Sequence, residues 1–231
     1  MEEKIDKIVL NRHSVRSYSS KKIEGEVLDK LQNCIKECNE LSGLNIQLIL
    51  NESRAFGESH YGSFTNCNNY IAIVGDKSDK YLEEKAGYFG EKIVLFAQKN
   101  GLNTCWVALT YKKSAVPIEL KENEKLVIIA IGYGENQGSF HRTKKYDEIS
   151  KTSEKDSPDW YKRGVEYAML APTAFNQQKF QLELTNEKKD GKSVVKITSK
   201  LGLYIRIDKG IAIYHFELGA GKNNFEWSEN I

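Results

Sequence analysis

KYLEEKAGYFGEKIVLFAQKNGLNTCWVAL, residues 80–109, contains a helix and the strand that follows it. Leu82, Ala86, Phe89, Ile93, Phe96 and Ala97 recur at steps of three and four, which lays them along one side of a helix over 80–100. Gly101, directly after Lys99-Asn100, is a helix stop signal. TCWVAL (104–109) then has the apolar density of a buried strand. Upstream, IQLIL (46–50) and YIAIV (70–74) are β-branched runs too short for helices. They follow a second one-faced helix that carries Val27, Leu28, Leu31, Cys34, Ile35, Cys38 and Leu41 and ends near Ser42-Gly43. Ile5, Ile8 and Val9 mark a shorter amphipathic helix over 3–11. Downstream, Pro117 separates TCWVAL from another buried strand, KLVIIAIGYG (125–134). Helices alternating with strands in this way imply α and β elements in layers.

The segment 134–158, GENQGSFHRTKKYDEISKTSEKDSP, carries too few apolar residues for a core element and is expected to be a linker. After it the order restarts, with a helix over 159–170, the turn LAPTAFNQQ, strands FQLEL (180–184) and VVKIT (194–198), and a helix GIAIYHFELGAG (210–221). The last piece matches GEKIVLFAQKNG (90–101): Gly90 with Gly210, Ile93 with Ile213, Phe96 with Phe216 and Gly101 with Gly221. Any two amphipathic helices between glycines share some of these features, but the repeated order predicts an internal duplication. The expected halves are 1–150 and 151–231.

With 231 residues, 40% hydrophobic and 29% charged, the chain is long enough to bury a sizeable core. Thirty-four basic against 32 acidic residues leave a net charge of +2, which excludes the strong overall field of a nucleic-acid binder or an anionic-membrane binder. No apolar run approaches the roughly 18 residues of a membrane span. The charged start MEEKIDKIVLNRH lacks an apolar signal core, so a cytoplasmic location is expected. Cys34, Cys38, Cys67 and Cys105 are too few and too irregular for a disulfide framework and are expected as reduced, buried thiols rather than metal ligands. The four histidines, at 13, 60, 141 and 215, are too scattered for a metal site or a triad, and His215 is expected as a hydrogen-bonded residue of an apolar helix.

Two segments carry chemistry. In Arg12-His13-Ser14-Val15-Arg16, an extended chain turns Arg12, Ser14 and Arg16 to one side. Two planar guanidinium forks and a hydroxyl are the donors that suit one phosphate, although a solvated basic turn has the same composition. In Ala171-Pro172-Thr173-Ala174-Phe175-Asn176-Gln177-Gln178, small residues allow a flat ligand to approach, and the amides match alternating N–H and C=O groups on a heterocycle edge. A plain helix-to-strand turn explains these residues equally well. Gly132-Tyr-Gly134-Glu-Asn-Gln-Gly138 imitates a dinucleotide fingerprint, but no apolar-periodic helix follows to hold a pyrophosphate.

Taken in order, the two segments, Gly101-Leu-Asn-Thr-Cys-Trp106 and the strand IAIGYG (129–134) followed by HRTKK (141–145) resemble the nitroreductase flavoproteins over most of the chain. The resemblance implies a nitroreductase-like α+β fold with a mixed or antiparallel central sheet flanked by helices. It also implies FMN as cofactor, NAD(P)H and a small acceptor such as a nitroaromatic or quinone as partners, and hydride chemistry on the flavin. Arg12, Ser14 and Arg16, with His13 between them, would bind the FMN phosphate, and Arg142 and Lys144 would be secondary phosphate ligands. Pro172, Thr173, Ala174, Asn176 and Gln178 would line the ring and ribityl chain, and the backbone near Val107, Ala108 and Leu109 would approach N5. Trp106 is expected in the packing, and no side chain is assigned as general acid or base.

The position where relatives carry the ring-covering segment in the first repeat holds Glu40-Leu-Ser-Gly-Leu-Asn45 here, and the better match lies in the second half. The chain is therefore similar to the duplicated subgroup, a pseudo-dimer with one well-formed flavin site per chain, working as a monomer or a homodimer. Leu109 is bulkier than the glycines many relatives carry there, which keeps open a second class of function, a non-catalytic flavin or nucleotide binder.

Overall fold

A computed structural model describes residues 2–56 and 63–229, without the side chains of residues 2–6; the Ile5 side chain and His60 lie outside the described residues. Two compact units are present, residues 1–82 with 92–140, and residues 83–91 with 141–231.

In the first unit, α1 (Glu2–Asn11) is followed by α2 (Gly25–Ser42), then β1 (Asn45–Ile49) and β2 (Tyr70–Asp76). The helix α3 (Leu82–Lys99), of which residues 83–91 belong to the second unit, leads into β3 (Asn103–Val107), and β4 (Glu124–Gly132) closes a four-stranded sheet of order β1-β2-β4-β3. All three pairings are antiparallel. Successive strand residues alternate between two covered faces. Tyr70, Ala72, Val74, Cys105, Val107, Leu126, Ile128 and Ala130 pack on one face with Val15, Tyr18, Phe56 and Cys67. Ile71, Ile73, Ile129 and Ile131 are buried on the other. Covering both faces explains why β2 and β4 read as continuous apolar runs rather than alternating ones. The helix α2 buries Leu31, Cys34, Ile35 and Cys38 and stops at Gly43, whose φ of 70° is left-handed.

In the second unit, α4 (Tyr146–Ile149) and α5 (Asp159–Met169) precede β5 (Phe180–Lys189) and β6 (Lys192–Ser199), and α6 (Ile205–Ala220) leads into β7 (Phe225–Trp227). The sheet, of order β5-β6-β7, is mixed, because β6 pairs antiparallel with β5 and parallel with β7. Helix, two strands, helix and strand follow one another in this unit as they do from α2 to β3. The three-residue β7 is too short to carry a periodic signal and had none in the sequence.

Two expectations change. The polar stretch 134–158 is not a bare linker, since it contains α4, with Ile149 fully buried, and Ser150 bridges to Leu182. One buried isoleucine and a few hydroxyl groups anchor it, which composition averages away. Gly210 does not start a helix either; it lies inside α6. A Cβ on Gly210 would overlap the Glu84 carbonyl oxygen, and one on Gly87 would overlap that of Ile207. The two helix backbones therefore touch at reciprocal glycines. Gly210→Ala is expected to force them apart and to destabilise the fold by about 1–3 kcal/mol, the usual overpacking range, measured by urea denaturation.

Candidate functional site

In the first unit the basic segment follows the last turn of α1, where the Arg12 amide donates to the Ile8 carbonyl at 3.0 Å. The chain then extends along the free edge of β3: Ser14 bridges to Thr104, and the Val15 amide donates to the Thr104 carbonyl at 3.0 Å. Further on, Ser17 bridges to Thr65 and Tyr18 to Gly134, and the Tyr18 hydroxyl donates to the Val15 carbonyl at 2.7 Å. An extended chain alternates its side chains, and Val15 enters the core while Arg16 is exposed.

Cys105 of β3 lies next to Thr104, the residue that Ser14 bridges to. Burial pushes the Cys105 thiol up, and the Arg16 charge, a hydrogen bond with the Ser14 side chain and the Arg12 charge pull against that shift. Two guanidinium charges and a hydroxyl thus act on one sulfur. Arg12 is only 4% exposed, so its charge is screened far less than a surface arginine's. His13 is buried with its ring edge-on to Phe140, at 4.5 Å between centroids, and takes a packing position. Val107 ends β3 inside the core, and Ala108 and Leu109 are exposed beyond it, Leu109 at 67%. Trp106, half-buried, alternates away from Cys105 and Val107.

The glycine-rich segment 132–138 clamps this edge. The Asn103 side chain, buried within β3, accepts from the Gly134 amide at 3.0 Å and donates to Gln137 at 3.1 Å. A Cβ on Gly138, whose φ is +72°, would lie 2.6 Å from the Cβ of His13. These glycines allow close backbone approach to the basic segment, which accounts for a fingerprint-like pattern with no helix behind it. Asn103 was not singled out from the sequence; its signal is an amide within an otherwise apolar strand.

In the second unit the segment 171–178 forms a tight turn. Its two predicted amides face the main chain of 142–144. Gln178 is buried; its Oε1 accepts from the Lys144 amide at 2.9 Å, and its Nε2 donates to the Arg142 carbonyl at 2.9 Å and to Asn176 Oδ1 at 2.8 Å. Asn176 Nδ2 donates to the same Arg142 carbonyl at 2.8 Å, and Lys144 Nζ donates to the Gln178 carbonyl at 2.8 Å. The residues predicted in these two stretches are therefore neighbours, with the Arg142 side chain exposed and the Lys144 ammonium held by a backbone carbonyl. Pro172, Thr173 and Ala174 are half-buried, and Phe175 is 71% exposed.

Asp208, in the first turn of α6, is a further site residue that sequence reasoning did not mark. It accepts from the Ala174 amide at 2.9 Å and from Gln177 Nε2 at 2.7 Å. Its signal is a single acid two residues ahead of an apolar helical run. Burial raises its carboxyl to about 6, against the pull of the Ala174 and Gln177 donors. The nearby Arg206 pairs instead with Glu84, at 3.3 Å. Because the folded value lies above the roughly 3.9 of a free aspartate, the stability this group contributes is fully present below about pH 4 and is lost as the pH rises through about 6. Asp208→Asn, which cannot ionise, is therefore expected to gain stability relative to wild type between pH 4 and pH 7.5, measured by urea denaturation at both.

All four cysteines are free and buried. Among the described residues no group of three or more His, Cys, Asp or Glu side chains is arranged to hold a metal, and no helix is long and apolar enough to cross a membrane.

Residues 4–220 match a family model described as "Putative TM nitroreductase". Among solved structures, the chain is similar to one from Thermotoga maritima named as a "putative nitroreductase", with 23% identity over 93% of this chain and 82% of that one and a TM-score of 0.62. It is also similar to two structures named as such nitroreductases in complex with FMN. The Exiguobacterium sibiricum protein is 14% identical over 62% of this chain and 94% of its own, with a TM-score of 0.51. The Desulfovibrio desulfuricans protein is 15% identical over 63% and 94%, with a TM-score of 0.52. No curated protein matches the chain.

Proposed function

Since the chain belongs to the nitroreductase family, we propose that it binds one FMN per chain and acts as an NAD(P)H-dependent oxidoreductase on a small acceptor such as a nitroaromatic or a quinone. The observation that carries this reading is the course of the basic segment 12–16 along the free edge of β3, where Ser14 bridges to Thr104 and the Val15 amide donates to the Thr104 carbonyl. That donor set fits a phosphate monoester: two guanidinium forks neutralise its charge, and a hydroxyl supplies a short neutral bond. Bound FMN supplies hydride exchange between a nicotinamide and the acceptor, which the two occupy in turn.

The chain's own work is to hold and shape. Arg12, Ser14 and Arg16 grip the phosphate, and His13 and the 132–138 segment keep them in place. The backbone at Val107, Ala108 and Leu109 would hold the reactive edge of the flavin. Within residues 171–178, Pro172, Thr173 and Ala174 are the small, half-buried residues that suit a flat ring. Asn176 and Gln178 act by tying that segment to Arg142 and Lys144, because their amides are already bonded there. Arg142, whose side chain is exposed, is the better secondary phosphate ligand of the two basic residues.

The 67% exposure of Leu109 supports a second reading, a flavin store or sensor in which this side chain obstructs acceptors. Steady-state NAD(P)H oxidation with menadione or a nitrofuran separates the two. Turnover that depends on FMN supports the oxidoreductase; a yellow protein idle with both nicotinamides supports the store; a colourless protein that FMN does not reconstitute removes both.

A further inference from the structure

We propose that Asp208 is a positioning residue, fixing the shape of the strip 173–178 with which this chain meets the isoalloxazine ring; the proposal rests on the FMN reading above. The strip does not hold its shape by local preference. Phe175, Asn176 and Gln178 have φ values of 52°, 51° and 44°, a left-handed region that side chains with a Cβ rarely adopt. Three such residues within four positions persist only where neighbouring groups fix them.

The fixing groups are few. Gln178 is tied to 142–144, and its amide donates to Thr173 Oγ1 at 3.0 Å. The other end has Asp208, whose two oxygens receive the Ala174 amide and Gln177 Nε2 separately. Gln177 Nε2 also donates to the Leu203 carbonyl at 2.7 Å, so Asp208 joins the strip to the segment that leads into α6.

Asp208 is 5% exposed, and both groups bonded to it are neutral. A buried carboxylate with only neutral donors lowers global stability at neutral pH. Its return is local. Two acceptor oxygens at a fixed separation are what two converging N–H groups need, and neither an amide nor a protonated acid offers both without turning a donor toward one of them. The carboxylate thus specifies the backbone of Ala174 to Gln177, next to the exposed Phe175, at a cost to the fold as a whole.

The test compares wild type with Asp208→Asn and Gln177→Ala. Hydrogen exchange of residues 173–178 is read in the FMN-free protein, and FMN affinity and the visible circular dichroism of bound FMN are read in the loaded protein. Expected are faster exchange confined to the strip, an FMN dissociation constant raised about tenfold and a weakened dichroic band, all with no fall in the urea midpoint of Asp208→Asn at pH 7.5. The double variant is expected to lose less than the sum of the two single changes, since both break the Gln177–Asp208 bond. Unchanged exchange in the strip, faster exchange with unchanged FMN affinity and dichroism, or an affinity loss that only follows a fall in the urea midpoint would each overturn the proposal. Failure of wild type to bind FMN would overturn the parent reading, and it is seen before any substitution is made.

Discussion

His215→Ala is expected to destabilise the protein by about 3–5 kcal/mol, the range for truncating a large, fully buried side chain to alanine. His215 and Glu91 are both fully buried, with Nε2 and Oε1 2.9 Å apart, and Nδ1 lies 3.1 Å from the Tyr167 carbonyl. A carbonyl only accepts, so Nδ1 is the donor there, and Nε2 faces the Glu91 carboxyl. The histidine on α6 thereby joins α5 and the 83–91 part of α3 by polar bonds inside an apolar layer. Alanine leaves the Glu91 carboxyl facing a cavity and the Tyr167 carbonyl without this donor. Changing both partners to similarly sized apolar residues, in His215→Leu with Glu91→Met, is expected to cost less than His215→Ala. Urea denaturation of the three variants checks the order. A loss under 1 kcal/mol in the single variant would show that the pair does not hold the unit.

Arg12→Ala is expected to weaken FMN binding by about 1.5–3 kcal/mol, as for losing a hydrogen bond to a charged group, which is roughly a 10- to 150-fold rise in dissociation constant. Arg12 lies at the end of α1 and is almost wholly buried, so the lost charge is a poorly screened one. Arg16 is exposed, and Arg16→Ala is expected to cost less. Arg12→Lys keeps the charge without the planar fork and should fall between wild type and alanine. Fluorescence quenching of FMN on titration with each variant gives the order, and equal affinities for wild type and Arg12→Ala would count against the phosphate assignment. Because burial makes Arg12 part of the packing as well, the urea midpoint of each FMN-free variant belongs beside its affinity.

What the sequence displayed depended on the kind of interaction involved. Periodicity marks elements that bury one long stripe or a whole strand, so α2, α3 and β1 to β6 are all visible in it. The last strand, Phe225–Trp227, is held instead by packing, with Phe225 and Trp227 edge-on to each other at 5.1 Å and both against Phe216, so no local period reveals it. Gly210 looked like a boundary because a glycine's use as a contact point depends on a helix distant in the chain.

The site followed the same division. Arg12, Ser14 and Arg16 form a local pattern, which their spacing alone displays. Which groups Asn176 and Gln178 bond to is a long-range fact, and their partner turned out to be the backbone of 142–144 rather than open space. Asp208 was invisible for the same reason, since nothing adjacent in the chain indicates that it receives Ala174 and Gln177.

The central claim is that Arg12, Ser14 and Arg16 hold the phosphate of one flavin mononucleotide. Calorimetric titration of the flavin-free protein with FMN and with riboflavin, which differ only in that phosphate, tests it most directly. The account predicts one FMN per chain, with riboflavin bound at least about tenfold more weakly, as for a lost charge-assisted hydrogen bond, and a gap that closes in the Arg12→Ala/Arg16→Ala double variant. Equal affinity of the wild-type protein for the two flavins, or two FMN per chain, would contradict it.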